Sequence, residues 1–333
     1  MSKVGAYRSV LRSLDDWDGF LLAESGLPGP RGNLELAEAA ATEGDAKRLR
    51  RYAVIDATAA PANSPQEFLT FCGVLGLGRL LAEGDRSLLI DLRRHANDPR
   101  WRTREATAMA LQRWGERDME ALLAEMARWA SGSLLERRAA AAALCEPRLL
   151  RQEAHVIAVL AVLHAITNSL LCEQNRRSAA FRTLRQCLGY CWSVAVAAAP
   201  DAGKPAMAHW FSVRDADVRW IMRENLKKAR LARMDAAWVQ AASAQLACEG
   251  LTTNHAQQTL PTDLAERGFD RMSPAVEKLG DAGRGGPFSP VWMQRLAAHA
   301  FFVSRLPRFL ATRSSLHYER KAACCTTGCS ASS

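Results

Sequence analysis

Apolar side chains recur at three- and four-residue intervals through most of the chain, and Gly, Pro or a short polar cap interrupts them again and again. This pattern predicts consecutive amphipathic helices joined by short loops. SPQEFLTFCGVLGLGRLLAEG carries a full set of boundary signals, with Ser64 as N-cap, Pro65 at the first helical position, Glu67 three residues after the serine and Gly84 at the end. In DPRWRTREATAMALQRWG, Asp98 is expected to cap a helix, Pro99 to start it and Gly115 to stop it, with Trp101, Ala108, Leu111 and Trp114 on one side. DMEALLAEMARWASG predicts a helix capped by Asp118 whose buried stripe is Met119, Leu122, Leu123, Met126 and Trp129. Six further helical segments follow, among them EAHVIAVLAVLHAITNSLLC, KPAMAHWFSV and DVRWIMRENLKKARLARM, each read as a single helix.

A repeat underlies this series. DPRWRTRE begins at Asp98 and DVRWIMRE at Asp217, 119 residues later, with Asp, Arg, Trp, Arg and Glu at matching offsets. Equivalence of Arg104 and Arg223 calls for two intermediate units, and Arg138 and Arg182 divide the interval into steps of 34, 44 and 41 residues. Helix pairs with a period of about 40 residues are the grammar of HEAT and armadillo repeats, in which stacked units bury a face that no unit can bury alone. The expected fold is therefore all-α: an α-solenoid of HEAT-like helix pairs over residues 1–248. In this reading the Asp of the block caps its helix, the Trp packs into the core between repeats, and the Arg one turn later lies near the next repeat's cap.

After residue 248 the periodicity fades. Segment 249–333 reads as a linker and a poorly ordered tail, interrupted by one amphipathic helix, SPVWMQRLAAHAFFVSRL, that offers Trp292, Leu296, Phe301 and Phe302 for packing. The terminal Cys324, Cys325 and Cys329, with His317 nearby, lack a recognised ligand spacing.

Composition supports helix over sheet and adds a charge argument. Hydrophobic residues make up 48% of the chain and aromatics only 7%, with Ala and Leu abundant in every segment. The net charge of +9 favours polyanionic partners, although no run of like charges forms a basic tail. The N-terminal segment lacks the apolar core and cleavage site of a signal peptide. VIAVLAVLHAITNSLL, which carries His164 and Asn168, reads as a buried helix rather than a membrane span. Cys72, Cys145, Cys172, Cys187, Cys191 and Cys248 sit singly in helical patterns, which suits reduced thiols in a cytoplasmic protein. Cys187 and Cys191, at i, i+4 spacing, read as core thiols; the pattern calls for no metal and no cofactor. There is no His-Glu-x-x-His helix, phosphate-binding loop or Gly-x-Ser-x-Gly elbow.

From Asp98 onward, DPRWRTREATAMALQRWG, LLAEMARWASGSLLERRAAAAALCEP and DVRWIMRENLKKARL resemble the DNA alkylation repair family of HEAT-like proteins, over about half of the chain. The resemblance implies a basic concave surface that grips DNA, and in the enzymatic members tryptophans with an aspartate for release of an alkylated base. The candidate contacts to a nucleic-acid backbone or an acidic protein are Arg100, Trp101, Arg104, Arg137, Arg138, Arg182, Arg219, Trp220, Arg223 and Lys227. Asp98 and Asp118 are the carboxylates that a base-releasing reaction would use. Two functions follow as expectations. One is a non-catalytic binding module or scaffold on nucleic acid or an acidic partner; the alternative is a DNA glycosylase acting on alkylated purines.

Overall fold

Where Ser, Asp or Asn precedes an apolar period, the backbone turns into a helix. A computed structural model describes residues 2–248, which contain fifteen α-helices and two 3-10 turns; no strand occurs among the described residues. Ser2, Asn33 and Asp45 cap α1 (Lys3–Arg12), α3 (Leu34–Glu43) and α4 (Ala46–Ala53), each side chain accepting from a first-turn N–H. α2 (Asp18–Ala23) lies between the first two of these. α5 (Pro65–Ala82) begins as its signals predict: Ser64 accepts from the Glu67 N–H, and the Glu67 carboxylate reaches back to the Asn63 N–H at 2.6 Å. Gly84, at φ +117°, follows its end.

The described residues fall into two compact units, 2–83 with 98–106 and 84–97 with 107–248. In the first, α1 packs on α3, α3 on α5, and α2 and α4 also on α5. Every residue of α5 from Glu67 to Leu81 except Arg79 is buried, so this helix is the unit's core. Gly73 is required there, because a Cβ at this position would run into the Tyr52–Ala53 backbone of α4.

The second unit comprises α6 (Leu88–Ala96), all but the first six residues of α7 (Trp101–Arg117), α8 (Met119–Trp129), α9 (Leu134–Leu144), α10 (Glu153–Ser169), α11 (Ala179–Ala198), α12 (Pro200–Ala208), α13 (Ala216–Leu226), α14 (Ala229–Met234) and α15 (Ala236–Cys248). Helices two apart pack on each other: α8 on α10 and α10 on α12, then α9 on α11, α11 on α13 and α13 on α15. The five residues of the α8 stripe are all buried, and Trp129, Trp192, Trp210, Phe181 and Phe211 fill the core. α10 with the following 3-10 turn has the length and composition of a membrane span. Its Val156, Val159, Leu160, Val162, Leu163 and Ile166 are buried, and α10 packs against α8, α9, α11 and α12, as in a core helix.

Several boundaries differ from expectation. α7 runs through Gly115 to Arg117, because Gly115 is a packing position: a Cβ there would lie 2.5 Å from Leu122 Cδ2 and 3.0 Å from Leu149 Cδ1. α12 starts at Pro200, carries Pro205 inside it and ends in the 3-10 turn His209–Phe211. DVRWIMRENLKKARLARM is two helices, not one. The buried Asn225 ties the end of α13 to α11, accepting from the Ser193 N–H and donating to the Leu188 carbonyl, and Lys228 N–H then bonds Asn225 O in a tightened turn. The tail helix, Cys324, Cys325 and Cys329 lie outside the described residues.

Candidate binding surface

The two copies of the octapeptide start their helices at different points. In the first, Asp98 stands three residues ahead of α7, and its side chain meets Arg100, the residue before the helix. Its Oδ1 accepts from the Arg100 backbone N–H at 2.8 Å and from Arg100 Nε at 2.9 Å, and its Oδ2 accepts from Arg100 Nη2 at 2.7 Å. Arg100, 3% exposed, also donates to the Asp56 and Ala60 carbonyls and to Thr70 Oγ1. Arg102 is buried with Glu67, at 3.3 Å, and its guanidinium lies 4.4 Å over the Trp101 ring. Burial pulls Arg102 below the usual guanidinium range, against the attraction of Glu67. Arg104 folds back onto the Asp98 and Pro99 carbonyls.

In the second copy the cap is Asp215, which accepts from the Asp217 and Val218 N–H groups. Asp217 sits within the first turn, 2.8 Å from Arg185 Nε and 3.1 Å from Arg176 Nη1, while Arg176 also meets Asp215 at 2.5 Å. Hydrogen bonding to Asp215 holds the Arg176 guanidinium above its usual range. Arg185 lies 4.0 Å over the Trp220 ring, whose edge rests where Gly189 of α11 has no side chain. Trp101 and Trp220 are both half-buried, and each is covered by an arginine.

The remaining candidates divide by exposure. Arg138 and Arg219 are buried, and Arg219 donates to the Leu246 carbonyl. Arg137 is half-buried and donates to Ser169 Oγ. Arg182 on α11, Arg223 on α13 and Lys227 just after α13 are exposed, and α11 and α13 pack together; Lys227 pairs with Glu224 at 2.6 Å. Asp118 caps α8 and pairs with Arg86 at 3.0 Å, and Arg86 covers Trp114, which is 2% exposed. The Trp114–Asp118 combination is therefore part of the helix junction. Sequence reasoning missed the capping role of Asp215, although its position three residues before the buried Val218 is an ordinary cap signal.

Arg177, Arg214 and Arg233 extend the exposed cations of the second unit. Such side chains hold phosphate or carboxylate oxygens by charge-assisted hydrogen bonds. Among the described residues, no group of three or more His, Cys, Asp or Glu side chains is arranged to hold a metal ion. Comparison with models of protein families, with curated proteins and with solved structures finds no match to this chain.

Proposed function

We propose that this chain is a cytoplasmic helical-repeat scaffold of the HEAT-like kind, resembling the DNA alkylation repair family, that binds the phosphate backbone of nucleic acid through the cations of its second unit. The packing of helices two apart, α9 on α11 on α13 on α15, supports the repeat reading. One observation carries the binding reading: Arg182 and Arg223 stay exposed on two helices packed together, with Lys227 exposed at the end of the second, and Arg223 to Arg233 supplies five cations against the single acid Glu224. Backbone neutralisation needs no base reading, so no further chemistry is required of the surface. The glycosylase alternative has less support, since Asp98 is held by Arg100 and Asp118 by a helix cap and Arg86.

The test is binding of a fluorescent duplex across a salt series. The expected result is affinity that falls steeply with salt, and a smaller slope for the triple variant Arg182→Ala, Arg223→Ala, Lys227→Ala, by about 0.9 for each phosphate that is no longer neutralised. An unchanged slope in that variant overturns the assignment of these residues. Binding to a polyglutamate peptide but not to DNA would make the partner an acidic protein.

A further inference from the structure

α9 and α11 pack against each other, and three thiols lie where they meet. Cys145 follows the last residue of α9, while Cys187 and Cys191 stand one turn apart on α11 and share a face of it. The Cys187 and Cys191 Sγ atoms are 3.5 Å apart. Each also points at a carbonyl of α9, Cys187 at Arg138 O (3.7 Å) and Cys191 at Ala141 O (3.5 Å). Cys191 is buried and Cys187 half-buried, so Cys187 is the more accessible residue of the two. A hydrogen bond with Cys145, together with burial, holds the Cys191 thiol well above its usual range, against the opposing pull of Cys187 and the Arg138 charge.

We propose that Cys187 and Cys191 are an oxidisable dithiol, a modification site at which a hydroperoxide closes a reversible disulfide within α11. The more accessible residue acts first. As a thiolate, Cys187 attacks the terminal oxygen of the hydroperoxide; the O–O bond breaks, the alkoxide takes up the proton the thiol gave up, and Cys187 becomes a sulfenic acid. The Cys191 sulfur then attacks the Cys187 sulfur, an S–S bond forms, the S–O bond breaks, and hydroxide leaves as water with the Cys191 proton. Two thiols and one hydroperoxide thus give a disulfide, an alcohol and water, with two electrons passing from sulfur to the peroxide.

The fold makes this bond strained, and the strain makes it reversible. Cβ atoms of i, i+4 helix neighbours stand about 5–6 Å apart, whereas a disulfide requires about 3.5–4.5 Å. Closure therefore draws in the turn Cys187–Cys191, whose middle residue is Gly189, a weaker helix former than alanine. Strained disulfides have higher reduction potentials and return to thiols under a dithiol reductant. The proposal is independent of what the cationic surface binds.

The test uses the full chain, treated with hydrogen peroxide, denatured, alkylated with iodoacetamide and digested with trypsin. Both cysteines fall in the peptide 186–214. The expected result is a peptide two hydrogens lighter that carries no alkyl group, and recovery of both alkylation sites after dithiothreitol. In Cys191→Ser, the same treatment leaves Cys187 as a sulfenic acid that dimedone traps. Alkylation of both cysteines after peroxide, a Cys145–Cys191 link, or irreversible oxygen addition at Cys187 would each overturn the proposal; the mapping of the unmodified sequence decides the matter even if a variant folds poorly.

Discussion

In the first unit Asp98 is held by Arg100 of its own segment, whereas in the second Asp217 is held by Arg176 and Arg185, contributed by the neighbouring helix and the loop before it. The five shared residues are the same in both copies, so the fillers decide. Pro99 disfavours helical backbone at the residue before it, and α7 does not begin until Trp101. Val218 imposes no such restriction, and α13 begins at Ala216, one residue before its block. Trp101 is therefore the first residue of its helix and Trp220 the fifth of its own. The first block closes on itself and on the carbonyls beneath it; the second is a seam between α11 and α13.

The largest test of this difference concerns the buried arginines. Arg100→Met takes the guanidinium from Asp98, which keeps only the residue-100 backbone N–H, and removes the guanidinium bonds to the Ala60 carbonyl and to the Asp56 carbonyl that Ala60 N–H also serves, so it should cost about 3–5 kcal/mol in urea unfolding. Arg219→Met, at the equivalent offset of the second block, removes at least the charge-assisted bond to the Leu246 carbonyl and should cost about 1.5–3 kcal/mol. Equal losses in the two variants would mean that the blocks are used alike.

Helix existence was legible in the sequence because caps and apolar stripes are local. Ser64, Asp118 and the stripe from Met119 to Trp129 fold as their spacing predicts. Gly115 misled because a glycine inside a helix reads as a stop until Leu122 and Leu149 are seen to fill the space beside it. The break after Leu226 was hidden because Asn225 is buried against α11 backbone more than thirty residues away in sequence. The arginines were least legible. Nothing in the string DPRW indicates that Arg100 reaches carbonyls at Asp56 and Ala60, and the same residue type stands exposed at Arg182 and Arg223.

Acid should separate the two regions by a smaller amount. α11, the support of the second block, places Trp192 against Trp210, and Trp210 lies 4.8 Å from His164. Burial, then the nearby His209, pushes the His164 imidazole down to about 4. The unfolded chain binds that proton near pH 6.5 and the folded chain only near pH 4. Stability is therefore complete above pH 6.5 and falls between 6.5 and 4, by about 1–2 kcal/mol after allowance for partial exposure. The first unit resists this range, since hydrogen bonding to Arg12 holds Glu43 at about 2 and hydrogen bonding to Arg51 holds Asp18 below the carboxylate range. Urea midpoints at pH 7 and pH 4.5 should differ less in His164→Phe than in the unmodified protein. An unchanged difference would mean that His164 is not the titrating group.

The smallest difference lies in the carboxylates themselves. Asp217 and its partners are each partly exposed, at 20%, 28% and 31%, so water and salt screen the pairs. Asp217→Asn should cost about 0.5–1 kcal/mol at low ionic strength and close to nothing in about 1 M salt, where the screening length falls to about 3 Å. Asp98→Asn acts on a partner that is 3% exposed, where counter-ions do not reach, so its larger cost should persist at the same salt concentration. The two salt profiles, measured side by side, distinguish a block closed on itself from one that bridges helices: the first keeps its penalty at every ionic strength, and the second loses it as salt screens charges that solvent already reaches.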